Sequence, residues 1–149
     1  MKVVVQRALD ASVEVDKKVI GEIKKGLMLL VGFTEGDNKE TIIKMTNKII
    51  NLRIFDDENG VMNRSLLDTK GSILSISQFT LYADTRKGRR PSYLNALRGE
   101  EATKLYDEFN KLLRDNNIKV ETGQFGADMK VRFTNDGPVT IILDSEDYK

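Results

Sequence analysis

The feature that most restricts the fold is Gly26 followed by Leu27-Met28-Leu29-Leu30-Val31-Gly32-Phe33, an unbroken apolar run of strand length. A run that does not alternate with polar residues has no face to give to water. It therefore predicts a strand covered on both faces. It is also far short of the ~20 apolar residues that a membrane span needs. Lys2 to Gln6 is rich in β-branched residues and reads as a first strand. Ser12-Val13-Glu14-Val15 alternates, Asp16-Lys17-Lys18 reads as a turn, and Val19 to Ile23 returns, which predicts a hairpin. The opening Met1 to Arg7 turns polar too soon for a signal peptide, and a cytoplasmic protein is expected.

Helical periodicity follows. Asp37 or Asn38 can cap a helix whose Ile42, Thr46, Ile49, Ile50 and Arg53 share one face. A second stripe of Ala102, Leu105, Tyr106, Phe109, Leu112 and Leu113 predicts a helix from about Glu100 to Arg114. Between them Asp56 to Gly60 reads as a turn and Ser72 to Phe79 as a strand, with a long polar stretch from Tyr82 to Leu97. Lys119-Val120-Glu121, Met129 to Thr134 and Val139 to Leu143 read as three closing strands. No linker, repeat or low-complexity tract divides the 149 residues, a length that one core can serve. The expectation is an α/β fold: a single compact domain, residues 1–149, with a mixed, largely antiparallel, barrel-like sheet packed with two main helices.

The chain has no Cys, no His and no Trp. That excludes a thiolate nucleophile, a Ser-His-Asp triad, an imidazole base and the usual zinc ligands. Neither a metal nor a cofactor is expected. Chemistry must come from carboxylates, hydroxyls, Lys, Arg, backbone groups or the substrate itself.

Several constellations can carry such chemistry. Arg86-Lys87-Gly88-Arg89-Arg90 puts four cations in five positions of a chain whose net charge is only +1. Local charge of this kind suits phosphate contacts; a solvated loop is the plain alternative. Tyr82 and Tyr93 flank it, able to stack on bases or simply to pack. Ser77, Gln78 and Thr80 put two hydroxyls and an amide at a strand end, where ligand sites of α/β domains tend to lie. A hydroxyl there has no base to activate it, whereas backbone N–H groups at such a turn can form an oxyanion hole. Solvated Ser and Thr at a strand end are the plainer reading. Asp136-Gly137 between two apolar strands signals a hairpin turn, with Pro138 opening the next strand through a trans peptide. Gly123-Gln124-Phe125-Gly126 has the spacing of a nucleotide clamp but no flanking pattern for one, so a loop between strands explains it.

Taken in order, Gln6-Arg7-Ala8 with Ala11-Ser12-Val13, Arg53-Ile54-Phe55 with Asp57 and Gly60-Val61-Met62-Asn63, Ser77-Gln78-Phe79-Thr80-Leu81, Arg90-Pro91-Ser92 and Asn135-Asp136-Gly137-Pro138-Val139-Thr140 resemble the D-aminoacyl-tRNA deacylase family over essentially the whole chain. The resemblance implies hydrolysis of the ester joining a D-amino acid to the 3′-terminal adenosine of tRNA, and of mischarged glycyl esters. It implies a homodimer in which a cis Gly137-Pro138 peptide enters the partner's pocket and rejects L-residues, with Arg7 fixing that loop. Ser77, Gln78, Phe79 and Thr80 would form the catalytic turn, Phe79 and Thr80 through their N–H groups. Phe125 and Met129 would line the adenosine pocket, and Arg86, Lys87, Arg89 and Arg90 would meet tRNA phosphates. The ribose 2′-hydroxyl would assist the chemistry in place of a histidine.

Overall fold

β1 (Lys2–Val15) and β2 (Lys18–Gly32) form one long antiparallel hairpin in the computed structural model, which describes residues 1–149. The sequence reading split each of these strands in two. The break fails because Asp10, at φ +49, is absorbed as an irregularity that bends β1 without ending its pairing: Leu9 still faces Lys25, and Ala11 faces Ile23. β5 (Ser72–Ser77) runs parallel to the second half of β2, and β6 (Val120–Thr122) runs parallel to β5. β7 (Lys130–Asp144) lies antiparallel to the free side of β1, giving the order β6-β5-β2-β1-β7. A small second ladder pairs β3 (Phe55–Asp56) with β4 (Met62–Arg64) across the expected turn.

Helix α1 (Lys39–Asn51) starts at Asn38, whose side chain accepts from the Thr41 N–H while the Thr41 hydroxyl accepts from the Asn38 N–H. Asp37 is engaged elsewhere, accepting from the Thr34 N–H and holding the α-ammonium of Met1 at 2.8 Å. Arg53 falls beyond the end of α1. A one-turn helix, α2 (Leu66–Thr69), is capped by Ser65; four residues leave no periodicity for a sequence reading to detect. α3 (Gly99–Asp115) matches the second predicted stripe.

The sheet has a core on each face. α1 and α3 cover one face, where Val3, Val5, Leu27, Leu29, Val31 and Ile73 meet Ile42, Ile49, Phe109 and Leu113. Each such fully buried side chain contributes roughly 1.5–3 kcal/mol. On the other face Ala8, Ala11, Val13, Ile23, Met28, Leu74 and Ile76 form a smaller cluster. No helix covers it. The far half of the β1–β2 hairpin curls across instead, so closely that a Cβ on Gly21 would stand 3.0 Å from the Thr122 carbonyl oxygen. The sheet is barrel-like by this packing, while its ladder stays open between β6 and β7. The apolar run from Leu27 is covered on both faces, as its lack of alternation requires.

Three further expectations are corrected. The strand predicted to Phe79 ends at Ser77, and Phe79–Tyr82 winds into a 3-10 turn. The two closing strands around Asp136-Gly137 are one strand, β7. Between the pairs Ala8↔Asn135 and Gln6↔Thr140, β7 spends three more residues than β1, so Asp136 to Val139 bulge out of the ladder rather than reverse it. The Gly137-Pro138 peptide is cis, the form the family resemblance implies and not the trans form expected by frequency.

Candidate functional site

A cleft of about 500 Å³ opens where β5 ends. It is lined by Ile76, Ser77, Gln78 and Phe79 on one side, Phe125, Gly126, Ala127, Met129 and Val131 on another, and Arg98-Gly99 at the start of α3. The chain reaches this place by a sharp change of geometry. Gln78 N–H donates to the Val31 carbonyl at 2.7 Å, the last tie to β2, and the next residues wind into the 3-10 turn. In that turn Leu81 N–H donates to Gln78 O and Ala83 N–H to Thr80 O, while the N–H groups of Phe79 and Thr80, its first two residues, enter none of the turn and loop hydrogen bonds around it. Unpaired donors are what the first residues of a helical turn leave over.

The side chains around these donors offer no base. The Gln78 amide donates to the Thr80 hydroxyl at 2.5 Å, and an amide cannot take a proton from it. Tyr82 is half-buried, and burial, reinforced by Asp37, Asp144 and Glu146, pushes its phenol further up, so it stays neutral. Tyr106, beneath Phe125 at 5.8 Å between ring centroids, is raised chiefly by burial and gives its hydroxyl proton to the Ser75 carbonyl at 2.7 Å. Phe79 is held by two neighbours, the Tyr93 ring edge-on at 5.2 Å and the Arg98 guanidinium 5.2 Å from its centroid.

The cleft thus brings together Ser77, Gln78, Phe79, Phe125 and Met129, with Thr80 one residue beyond. Arg7, Gly137 and Pro138 do not line it. Arg7 is buried, and its guanidinium donates to the Asp136 carbonyl at 3.2 Å, the Ile54 carbonyl at 3.0 Å and the Asp56 carboxylate at 3.3 Å. A second ion pair reaches the Asp136 carboxylate at 3.5 Å. Asn135 ties the bulge from its other side, accepting from the Val139 N–H and donating to the Thr140 hydroxyl. Gly137 stands at φ +124, where a Cβ would meet a Val139 methyl at 2.8 Å, so no other residue fits without strain. Gly137 and Pro138 are exposed at its tip.

The basic segment is an exposed protrusion whose neck is pinned by paired N–H to O bonds between Asp84 and Ser92. Arg86 is spent locally: its bidentate hydrogen bonds to Asp84 hold that carboxyl at about 2, well below its ordinary range. Lys87, Arg89 and Arg90 make no ion pair within the chain and, like Arg86, lie outside the cleft. Tyr93 packs on Phe79, and Tyr82 lies under the Lys2 ammonium at 4.8 Å, so both flanking tyrosines are packed against the chain's own residues. The sequence reading missed Arg98, Gly99, Ala127 and Val131. Nothing in the local pattern marks them, since Arg98 reads only as a residue ahead of a helix.

The chain is similar in sequence to proteins named D-aminoacyl-tRNA deacylase from Clostridium botulinum (strain Alaska E43 / Type E3), 58% identical over 97% of this chain and 97% of that one. It is similarly related to one from Bacillus velezensis, 56% identical over 98% and 99%. Among solved structures it superimposes on one named c-Myc DNA Unwinding Element Binding Protein with a TM-score of 0.90 and 40% identity, covering 97% of this chain and 98% of that one. It also shares its fold with a probable eukaryotic D-amino acid tRNA deacylase at a TM-score of 0.82 and 20% identity, covering 95% and 97%. The sequence model of the family described as D-Tyr-tRNA(Tyr) deacylase matches residues 4–144, and to that family this chain belongs.

Proposed function

We propose that the chain hydrolyses the ester of D-aminoacyl-tRNA and spares the L-ester. One observation carries the chemistry: the N–H groups of Phe79 and Thr80 open a 3-10 turn at the end of β5 and enter none of its turn and loop hydrogen bonds, beside a cleft with no imidazole, thiol or carboxylate. In this reading water adds to the ester carbonyl carbon, the developing oxyanion takes hydrogen bonds from these two donors, and the ribose oxygen departs with a proton. Fixed backbone donors act without reorganisation. No side chain of the cleft is a base, so the vicinal 2′-hydroxyl of the terminal ribose is the group available to relay the proton. Thr80 stays a structural neighbour of Gln78 and forms no acyl intermediate. Phe125 and Met129 supply apolar cover for the adenine.

Selectivity is assigned to the Gly137-Pro138 corner. A stiff backbone wall excludes any L side chain by overlap while ignoring what that side chain is, and it leaves glycyl esters as substrates. On its own chain that corner lies as far as about 20 Å along β7 from Val131, which lines the cleft. A homodimer brings one chain's corner to the other's cleft. Supporting this, β7 is an edge strand of fifteen residues with its outer row of N–H and C=O groups unpaired. Its Val131, Phe133, Val139 and Ile141 are only half-covered, and Ile142 is 72% exposed. The basic protrusion is assigned to the acceptor-stem phosphates, through Lys87, Arg89 and Arg90 and, less, through Arg86.

The test is ester loss from D-Tyr-tRNA and L-Tyr-tRNA incubated with the protein. The D-ester is expected to disappear well above its spontaneous rate and the L-ester at that rate; equal loss of both overturns the reading. The second reading, a nucleic-acid-binding module without turnover, is favoured by the name of the 40% identical solved structure and by the same basic protrusion. It predicts binding with no acceleration of either ester.

A further inference from the structure

We infer that Arg98 reads the phosphate on the 5′ side of the terminal adenosine, so that the cleft distinguishes a 3′-aminoacylated nucleotide from a bare aminoacyl nucleoside. This rests on the cleft being the site of the aminoacyl-adenosine, as proposed above.

Three observations converge on this residue. Arg98 is the only charged side chain among the eleven that line the cleft. It takes part in none of the chain's ion pairs and makes no side-chain hydrogen bond at the start of α3. Of the two acids in the first turn of α3, Glu100 faces Lys104 at 3.7 Å and Glu101 pairs with no cation, Arg98 included. A cation left without a carboxylate beside an apolar cleft is matched to an anion that arrives with the ligand.

The position also fits the chemistry of the ligand. The Arg98 guanidinium lies over the Phe79 ring, 5.2 Å from its centroid, and the residue is exposed, so the stacked cation is placed beside the cleft with donors open to a ligand. Phe79 is the residue whose N–H faces the ester in the proposed mechanism. The only anionic group near an aminoacyl ester on a terminal adenosine is the phosphodiester at its own 5′ carbon. A guanidinium can grip two of its oxygens at once, whereas Lys87, Arg89 and Arg90 on the protrusion lie outside the cleft. Arg98 is therefore a binding residue for the leaving nucleotide, separate from the protrusion that meets the rest of the tRNA.

The test uses two inert amide analogues, 3′-deoxy-3′-(D-tyrosylamino)adenosine with and without a 5′-phosphate, titrated into the full-length protein by calorimetry. The phosphate is expected to tighten binding about tenfold or more. In Arg98→Ala that ratio is expected to fall close to one, and in Arg98→Lys to recover in part, because a point charge remains without the fork. A wild-type ratio near one overturns the inference. So does an unchanged ratio in Arg98→Ala, which would reduce the residue to a prop for the Phe79 ring. Failure of both analogues to bind overturns the placement of adenosine in the cleft and the role of Arg98 with it. Turnover of D-Tyr-tRNA by the wild type, measured in parallel, reports separately on the hydrolase reading.

Discussion

The cleft at the end of β5 and the bulge of β7 are built by opposite means. The cleft is largely apolar, with Arg98 its one charged side chain, and is shaped by main chain: a strand stops, a 3-10 turn begins, and the first N–H groups of that turn are left over. The bulge is held by charge and side-chain hydrogen bonds, with a buried guanidinium reaching two carbonyls and two carboxylates. The difference teaches a division of labour. A pocket made of backbone tolerates side-chain change, whereas a corner that must stand out from its own sheet needs a scaffold that side-chain substitutions can break.

The largest effect is expected at the corner. Arg7→Ala removes hydrogen bonds from a charged donor to the Ile54 and Asp136 carbonyls, at a cost of about 2–3 kcal/mol, which for a domain of this size lowers Tm by roughly 5–10 °C. Gly137→Ala forces a Cβ into Val139 at φ +124 and is expected to raise L-Tyr-tRNA hydrolysis on the order of tenfold or more relative to the D-ester. Thermal melts and the D/L rate ratio check both. A variant that slows the D-ester but keeps the ratio would place the corner in catalysis and erase the division.

A smaller effect is expected from the protrusion, which belongs to neither region. Arg89→Ala with Arg90→Ala should weaken tRNA binding and flatten the slope of log K against log salt by about 1.5–2, as two phosphate contacts are lost. Arg86→Ala should change the slope less, because Asp84 already neutralises that charge. Binding titrations at several salt concentrations decide it, and an unchanged slope in the double variant removes the phosphate role.

The smallest effect is expected inside the cleft. Thr80→Ala deletes only a hydroxyl that accepts from Gln78, so kcat on D-Tyr-tRNA should fall less than about tenfold. Loss of a thousandfold or more with an unchanged melt would make Thr80 a nucleophile and the cleft a side-chain site after all.

Much of this molecule was legible in its residues. The run from Leu27 announced a strand buried on both faces, Asp37 or Asn38 announced the start of α1, with the structure choosing Asn38, and the stripe from Ala102 to Leu113 announced α3. The motif from Ser77 to Thr80 was placed at a strand end, where the cleft lies. The break read between Gln6 and Ser12 and the turn read at Asp136-Gly137 fail for one shared reason. Local polarity and turn chemistry signal a break in a strand, but pairing with a long neighbour on β1 or β2 absorbs the irregular residues as bends and bulges. Arg98 left no local trace, because its role depends on a ring nineteen positions earlier in the chain.

Composition by itself settled what chemistry is closed to this chain: without histidine or cysteine, only carboxylates, hydroxyls, Lys, Arg, backbone groups and the substrate itself are left. Alternation and capping settled which segments are strands and helices, because burial and hydrogen-bond satisfaction act over a few residues. Only the tertiary structure decided that Phe125, Met129 and Arg98 meet the β5 turn, that Arg7 grips the β7 bulge, and that bulge and cleft lie apart on one chain. Those are contacts between residues far apart in sequence, fixed by how the sheet curls and how its register shifts, and no local pattern encodes either.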